Sequence, residues 1–102
     1  MGIMEGKDIR ALGTWETLRA FVLESLCAFD ALDPHQVQFL EYPLRQRGGL
    51  AGVLWEVRGP RRLRTQAIWA YADRRIYFYD SAGARRRVVR LTDWPKLVPE
   101  AA

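Results

Sequence analysis

The spacing of the apolar residues changes at Pro34, and this change limits the folds open to the chain. Before Pro34, apolar residues recur every three or four positions and therefore form one helical stripe. After Pro34 the spacing approaches two, which is typical of strands whose side chains alternate between two faces. The stripe consists of Trp15, Leu18, Val22, Leu26 and Phe29, with Phe21 at its edge.

The stripe predicts one main N-terminal helix over about residues 14–30. Thr14 suits the N-cap because its hydroxyl can accept from a free backbone N–H, and Pro34 follows the predicted end. A helix with one apolar stripe and a sheet with one apolar face each need a partner, so we expect them to pack together. The predicted fold is α+β, one helix on an antiparallel meander of four to five strands. These strands are predicted at about residues 37–44, 50–58, 62–71, 75–80 and 86–91.

The domain boundaries follow from the same pattern. Residues 1–13 carry three glycines and no clear period, so we expect a flexible or partly helical arm. Residues 14–94 are predicted to form a single α+β domain. Residues 95–102 are predicted to be a tail.

Cysteine and histidine each occur once, as Cys27 and His35. This excludes an internal disulfide and makes a metal site or histidine-based catalysis a poor expectation, so we predict no metal and no cofactor. No window approaches the roughly 18 apolar residues of a membrane span, and the first ten residues lack the apolar run of a signal peptide. We expect a cytoplasmic protein with no membrane partner.

The net charge of +4 is unevenly distributed along the 102 residues. Residues 1–44 contain three basic and seven acidic side chains, whereas residues 45–102 contain thirteen basic and five acidic ones. Arginine outnumbers lysine fourteen to two. A basic half indicates an anionic partner such as nucleic acid or an acidic protein. A GC-rich genome would also produce the excess of arginine, and the composition alone leaves both explanations open.

Alternation along the predicted third and fourth strands assigns residues to two sheet faces. With a two-residue turn at Asp73 and Arg74, the face toward the helix collects Leu63, Ala67, Trp69, Tyr71, Ile76 and Phe78. The opposite face mixes arginine with tyrosine, and the last strand adds either Arg86 and Arg90 or Arg85 and Arg87 to it. Guanidinium groups neutralise phosphates and exposed rings stack on bases, so this face is a candidate nucleic-acid or anion site. The candidate residues are Arg62, Arg64, Arg75, Tyr77, Tyr79 and Arg86.

Solvated strands also carry arginine and tyrosine, and the sequence contains no RNA- or DNA-binding signature that would decide between the two interpretations. It contains no catalytic motif either, so we expect a non-enzymatic binding module.

A second helical strip supplies an alternative function. Glu16, Ala20, Leu23 and Cys27 lie away from the main stripe, and three of the four are apolar or small. Leu23 and Cys27 are therefore candidates for a self-association or protein-interaction surface, with a homodimer as the expected product.

A third interpretation comes from the stretch Trp55-Glu56-Val57-Arg58 followed by a basic strand. This stretch resembles part of the sheet of RelE-type messenger-RNA-cleaving toxins. The resemblance implies a small ribonuclease that acts through arginine, lysine and tyrosine, and we transfer no catalytic residue from it.

Overall fold

One helix packs on one face of a six-stranded sheet in the computed structural model, which describes residues 8–95. The strands are β1 (Ile9–Ala11), β2 (Gln38–Gln46), β3 (Gly49–Arg58), β4 (Arg64–Ala70), β5 (Arg75–Tyr79) and β6 (Arg85–Asp93). The helix α1 is Trp15–Phe29, and single 3₁₀ turns occur at Pro34–Gln36 and Pro60–Arg62. No helix among the described residues is both long and apolar enough to cross a lipid bilayer.

The predicted helix is confirmed, including its cap. The Thr14 backbone is extended, and its Oγ1 accepts a hydrogen bond from the backbone N–H of Thr17 at 3.2 Å. Three residues of the apolar stripe, Leu18, Val22 and Leu26, are fully buried. The helix ends where Ala31 adopts a left-handed conformation with φ 53°, which turns the chain toward the sheet.

The predicted sheet is wrong in strand number and in its purely antiparallel character. The order is β1-β6-β5-β4-β3-β2, and β1 pairs with β6 in parallel, so the sheet is mixed. Strand β1 has three residues, which is too short for alternation to reveal it, and its partner lies about 80 positions away in sequence. Residues 9–11 of the segment expected to be an arm thus pair in the sheet, while residues 1–7 and 96–102 lie outside the described part of the chain.

The hairpin between β4 and β5 has a different register from the predicted one. Trp69 pairs with Ile76, not with Phe78, and Ala70 pairs with Arg75 across a four-residue turn. This is a shift of two residues. Because side chains alternate with a period of two, an even shift moves pairing partners but keeps every side chain on its predicted face.

The core on the helix side of the sheet is centred on Trp69. Its ring lies 6.0 Å from that of Trp15, 6.4 Å from Trp55 and 6.5 Å from Trp94, measured between centroids. The Tyr71 ring is closer still, at 4.6 Å. All four tryptophans of the chain therefore join the helix, the central strands and the segment after β6 in one aromatic cluster.

The two edges of the sheet differ in how they discourage further strand pairing. Strand β2 is nine residues long, but it contains Pro43, which has no N–H to offer a neighbour. Strand β1 presents only three residues.

A charged contact joins β1 to β6 and to the helix. The Arg87 Nε donates to Asp8 Oδ2, the Arg87 Nη1 donates to Ser25 Oγ at 3.1 Å, and the guanidinium lies 4.9 Å from the centre of the Phe21 ring. Burial favours the neutral form of Asp8, but hydrogen bonds and charge from Arg87 and then Arg10 outweigh it and lower the pKa of Asp8. The ionised carboxylate thus stabilises the pairing of β1.

The substitution Asp8→Asn should lower the free energy of unfolding by about 1–2 kcal/mol at pH 7. Because the pKa of Asp8 is lowered by folding, this stabilisation is present above the ordinary carboxyl pKa of about 4 and is lost as the pH falls through the folded-state value. Urea unfolding at neutral pH and near pH 3 measures both effects, with Glu24→Gln, an exposed position on α1, as the control. Equal stability of Asp8→Asn and wild type at neutral pH would contradict the assignment.

Candidate functional site

The sheet face turned away from α1, here called the outer face, is covered by no helix of the described chain. Half-buried apolar side chains lie at its centre, among them Leu54 and Ile68, and Tyr42 is 40% exposed beside them. Val88 is only 1% exposed although it pairs with Tyr77 on this face. Neighbouring side chains must therefore cover Val88, and the outer face combines apolar residues with the arginine and tyrosine residues of β4, β5 and β6.

A groove of about 510 Å³ opens on the outer face between two turns, the one joining β3 to β4 and the one joining β5 to β6. We call it the basic groove because two arginine residues line it. The lining also includes a tyrosine, an amide, an aliphatic side chain and the turn after β5. The lining residues are Arg62, Arg64, Gln66, Ile68, Tyr79, Asp80, Ser81 and Gly83.

A nearly buried carboxylate orients one wall of the basic groove. Glu56 is 4% exposed, its Oε1 accepts from Gln66 Nε2 at 2.9 Å, and its Oε2 accepts from Arg58 Nε and lies 3.7 Å from Arg64 Nε. Burial favours the neutral acid, but the hydrogen bonds from Gln66 and Arg58 and the charges of Arg58 and Arg64 lower the pKa of Glu56. Glu56 is therefore ionised at neutral pH and serves as the internal counter-ion of two arginines that face each other across β3 and β4.

The turn that carries Arg62 is held in an unfavourable backbone conformation. Arg61 has φ 58° and ψ 31°, Arg62 has φ 61°, and the Leu63 N–H donates to the Pro60 carbonyl at 3.1 Å. Two successive positive φ values are the signature of a type I′ turn, for which Asn-Gly is the preferred pair. Arginine at both positions is costly, because left-handed conformations strain residues with a Cβ.

The opposite wall is organised by Asp80. Its Oδ1 accepts from the backbone N–H groups of Ala82 at 2.9 Å and Ala84 at 3.0 Å, and its Oδ2 accepts from Arg86 Nη1 at 3.1 Å. The bonds from Ala84 and Arg86 lower the pKa of Asp80. Gly83 has φ 83°, which residues with a Cβ rarely adopt, so this turn depends on its glycine.

The predicted site residues divide into three groups. Arg62, Arg64 and Tyr79 meet at the basic groove. Tyr77 lies farther along β5 on the same face, where its hydroxyl donates to Asp73 Oδ2 at 2.7 Å and the Arg85 guanidinium lies 5.5 Å from its ring centre.

The remaining two candidates lie apart from the groove. Arg75 is at the far end of β5, opposite Arg90. Arg86 falls at a register irregularity between β5 and β6, and its guanidinium lies 5.4 Å from the ring centre of Phe29 at the end of α1. The irregularity turns Arg86 away from the other candidates, and neither of the predicted loop lengths anticipated it.

The residues suggested for self-association are packed inward. Cys27 is 2% exposed within the core, and burial followed by the charge of Asp33 raises the pKa of its thiol. Leu23 is half-buried against the same core. The helix therefore buries more of its circumference than the apolar stripe predicts.

Several residues of the site were not among the predicted binding residues, and Glu56 and Arg61 are two that shape it without lining it. Alternation along Trp55-Glu56-Val57 places Glu56 on the outer face, but nothing in the sequence indicates that side chains of the next strand enclose it. The strain at Arg61 follows from the type I′ turn. The dipeptide Gly59-Pro60 predicts a turn here but does not predict its type.

A second groove of about 530 Å³ opens at the other end of β3 and β4, and we call it the apolar groove. Ile68 lines both grooves, so the two adjoin at this residue. The lining residues are Leu44, Gln46, Leu50, Ala51, Ile68, Trp69, Ala70, Tyr71 and Ala72.

Across residues 8–95, no three histidine, cysteine, aspartate or glutamate side chains are grouped so that they could hold a metal ion. Comparisons with protein-family models, curated proteins and solved structures give no significant match. The chemistry of the outer face is therefore the basis for a functional assignment.

The substitution Glu56→Gln should lower the free energy of unfolding by about 2 kcal/mol, because it leaves Arg58 and Arg64 facing each other without a counter-ion. Thermal unfolding at neutral pH measures the loss, again against Glu24→Gln. Added salt should reduce the difference between Glu56→Gln and wild type, since it screens the repulsion. A variant as stable as wild type would show that Glu56 does not hold the pair.

The double substitution Arg61→Asn/Arg62→Gly should raise the free energy of unfolding by about 1–2 kcal/mol, because it supplies the residues that the type I′ turn prefers. Urea unfolding measures the gain. Arg45→Gln/Arg47→Gln, which removes two positive charges at the other end of the sheet, is the control for net charge. A loss of stability in the turn variant would show that the arginine side chains themselves hold the turn.

Proposed function

We propose that this domain is a non-enzymatic binding module whose outer face binds single-stranded nucleic acid. The observation that carries the proposal is the basic groove, where two guanidinium groups, a tyrosine and an aliphatic side chain converge on an uncovered sheet face. Guanidinium groups bind phosphate oxygens through paired donors, and aromatic rings stack on unpaired bases.

The strained turn supports the proposal. A turn of Arg61 and Arg62 in left-handed conformations is less stable than Asn-Gly would be, so stability alone does not account for these residues. A role in the basic groove, which Arg62 lines, accounts for an arginine at this position.

The form of the surface favours a single strand over a duplex. A duplex presents phosphates outward and hides its base faces, so it would leave the tyrosines and the apolar centre of the outer face uncontacted. Unpaired bases match both the charged and the apolar parts of the face. An acidic protein segment is the alternative anionic partner, and the protein-interaction hypothesis is favoured by one observation, the apolar groove that continues from Ile68.

The other two hypotheses have less support. A self-associating strip would need Cys27 at the surface, and it is 2% exposed. The ribonuclease hypothesis rests on the resemblance of one stretch alone, and the two carboxylates beside the basic groove, Glu56 and Asp80, are both engaged with arginines.

Binding of labelled single-stranded RNA and DNA, followed by fluorescence anisotropy across a range of salt concentrations, tests the proposal. We expect Arg62→Gln/Arg64→Gln to weaken binding at least about tenfold at low salt. We also expect its plot of log affinity against log salt to be less steep by about 1.4, since about 0.7 is contributed by each phosphate contact to a single strand.

The charge-matched control is Arg45→Gln/Arg47→Gln, which should bind nearly as wild type. Equal weakening by both double variants would show attraction by net charge without a site. Absence of binding by the folded wild type would overturn the proposal, and cleavage of the RNA that stops in Arg64→Ala would replace it with the ribonuclease hypothesis.

A further inference from the structure

Two pairs of arginines face each other across neighbouring strands of the sheet. Arg58 pairs with Arg64 between β3 and β4, and Arg75 pairs with Arg90 between β5 and β6. Like charges directly opposite each other on a sheet face are destabilising. The first pair has Glu56 as its internal counter-ion. The second pair can therefore be compared with the first for the presence of a counter-ion.

Within residues 8–95, no carboxylate forms an ion pair with Arg75 or Arg90. The Arg75 Nη1 donates to the Asp73 carbonyl at 3.5 Å, which is a weak contact, and the Arg75 Nε is buried without an acceptor. The Asp73 carboxylate instead accepts from the Tyr77 hydroxyl. A buried donor of a charged group that lacks an acceptor is costly, so the arrangement around Arg75 is less stable than the one around Arg58 and Arg64.

The nearest segment of the neighbouring strand supplies no such anion. The Asp8 carboxylate binds Arg87 and Arg10, and Asp8 contacts Arg90 through the backbone, where its carbonyl accepts from the Arg90 N–H at 2.9 Å. Ile9, which pairs with Arg90, is 45% exposed and carries no charge. No carboxylate of residues 8–95 therefore balances the charges of Arg75 and Arg90.

We propose that Arg75 and Arg90 form a second anion site on the outer face, and that this site takes a phosphate group. Directly opposite residues on neighbouring strands lie about 5 Å apart at their Cα atoms, so both guanidinium groups can reach one phosphate. Several phosphate oxygens can accept from the terminal nitrogens of two guanidinium groups at once.

The position of this site also indicates the path that a bound nucleic-acid strand would follow across the sheet. This point rests on the proposed function. Arg75, Tyr77 and Tyr79 share the outer face along β5, and Tyr79 lines the basic groove. Four residues of strand separate Arg75 from Tyr79, about 13 Å. A single-stranded nucleic acid with one phosphate in the basic groove would thus pass its bases over the tyrosines. A later phosphate of the same nucleic acid would reach Arg75 and Arg90.

The site itself is tested with inorganic phosphate, without nucleic acid. The experiment uses the Arg62→Gln/Arg64→Gln protein, so that the basic groove does not contribute. Millimolar phosphate should raise its unfolding temperature by several degrees over chloride of equal ionic strength. Adding Arg90→Gln should abolish this rise, whereas adding Arg47→Gln, at an exposed turn position, should preserve it.

Arg90→Gln in the wild-type background provides a second readout in phosphate-free buffer of low salt. It should raise the unfolding temperature, because it removes repulsion from Arg75, whereas a merely structural arginine would give a lower temperature when removed. A phosphate-induced rise that survives Arg90→Gln, or a lower unfolding temperature for Arg90→Gln in phosphate-free buffer, overturns the site.

Oligonucleotide binding then identifies the source of the phosphate. If a bound strand supplies it, Arg90→Gln makes the salt dependence of single-stranded RNA binding less steep by about 0.7. An unchanged salt dependence overturns the path of the strand along β5, even if the response to inorganic phosphate is lost in Arg90→Gln. Loss of that response in a protein that binds no oligonucleotide supports the phosphate site and overturns only the proposed function.

Discussion

A single helix can cover only one face of a six-stranded sheet, and this constraint determines how the rest of the molecule is arranged. The fifteen residues of α1 pack their apolar stripe against the cluster around Trp69. The helix side thereby acquires a dry core in which Leu18, Val22 and Leu26 are completely buried. The other face is covered by no helix of residues 8–95, so most of its aliphatic residues, such as Leu54 and Ile68, are only half-buried.

The arginines consequently have different roles on the two faces of the sheet, a difference that the amino-acid composition does not reveal. On the helix side, Arg19 donates two hydrogen bonds to Glu41 at 2.8 and 2.9 Å, and Trp55 donates a third at 2.7 Å. Burial favours neutral Glu41, but these bonds outweigh it and lower the pKa of Glu41. Such arginines are structural, and Arg87 belongs with them. On the outer face, Arg58 and Arg64 are balanced internally, whereas Arg75 and Arg90 are not. A genomic preference for arginine can raise the total, but it does not explain why, within residues 8–95, one cross-strand pair has a counter-ion and the other has none.

Local patterns in the sequence predict the helix and the sheet faces well. The stripe from Trp15 to Phe29 and the cap at Thr14 are properties of short segments, so the sequence predicts them without knowledge of the fold. The face assignment of Arg64, Tyr77 and Tyr79 is correct despite a wrong register, because the error was an even number of residues. Features that depend on distant strand pairing or on turn geometry cannot be predicted from short segments of the sequence. Strand β1 has its partner near the other end of the domain, the irregularity at Arg86 depends on the turn after Tyr79, and the inward position of Cys27 depends on how the sheet wraps the helix.

The parallel pairing of β1 with β6 also has a consequence for the order in which the molecule assembles. The hairpins β2–β3, β3–β4, β4–β5 and β5–β6 join neighbours in sequence, and each closes only a short loop. The contact between Ile9 and Arg90 closes a loop of roughly 80 residues, whose entropic cost is recovered only after the intervening meander exists. Until β1 docks, β6 is an edge strand with unpaired backbone groups, open to pairing with another chain. Docking of β1 covers the end of β6 from Arg90 to Asp93, so the same contact that closes the longest loop also shortens the open edge of the sheet.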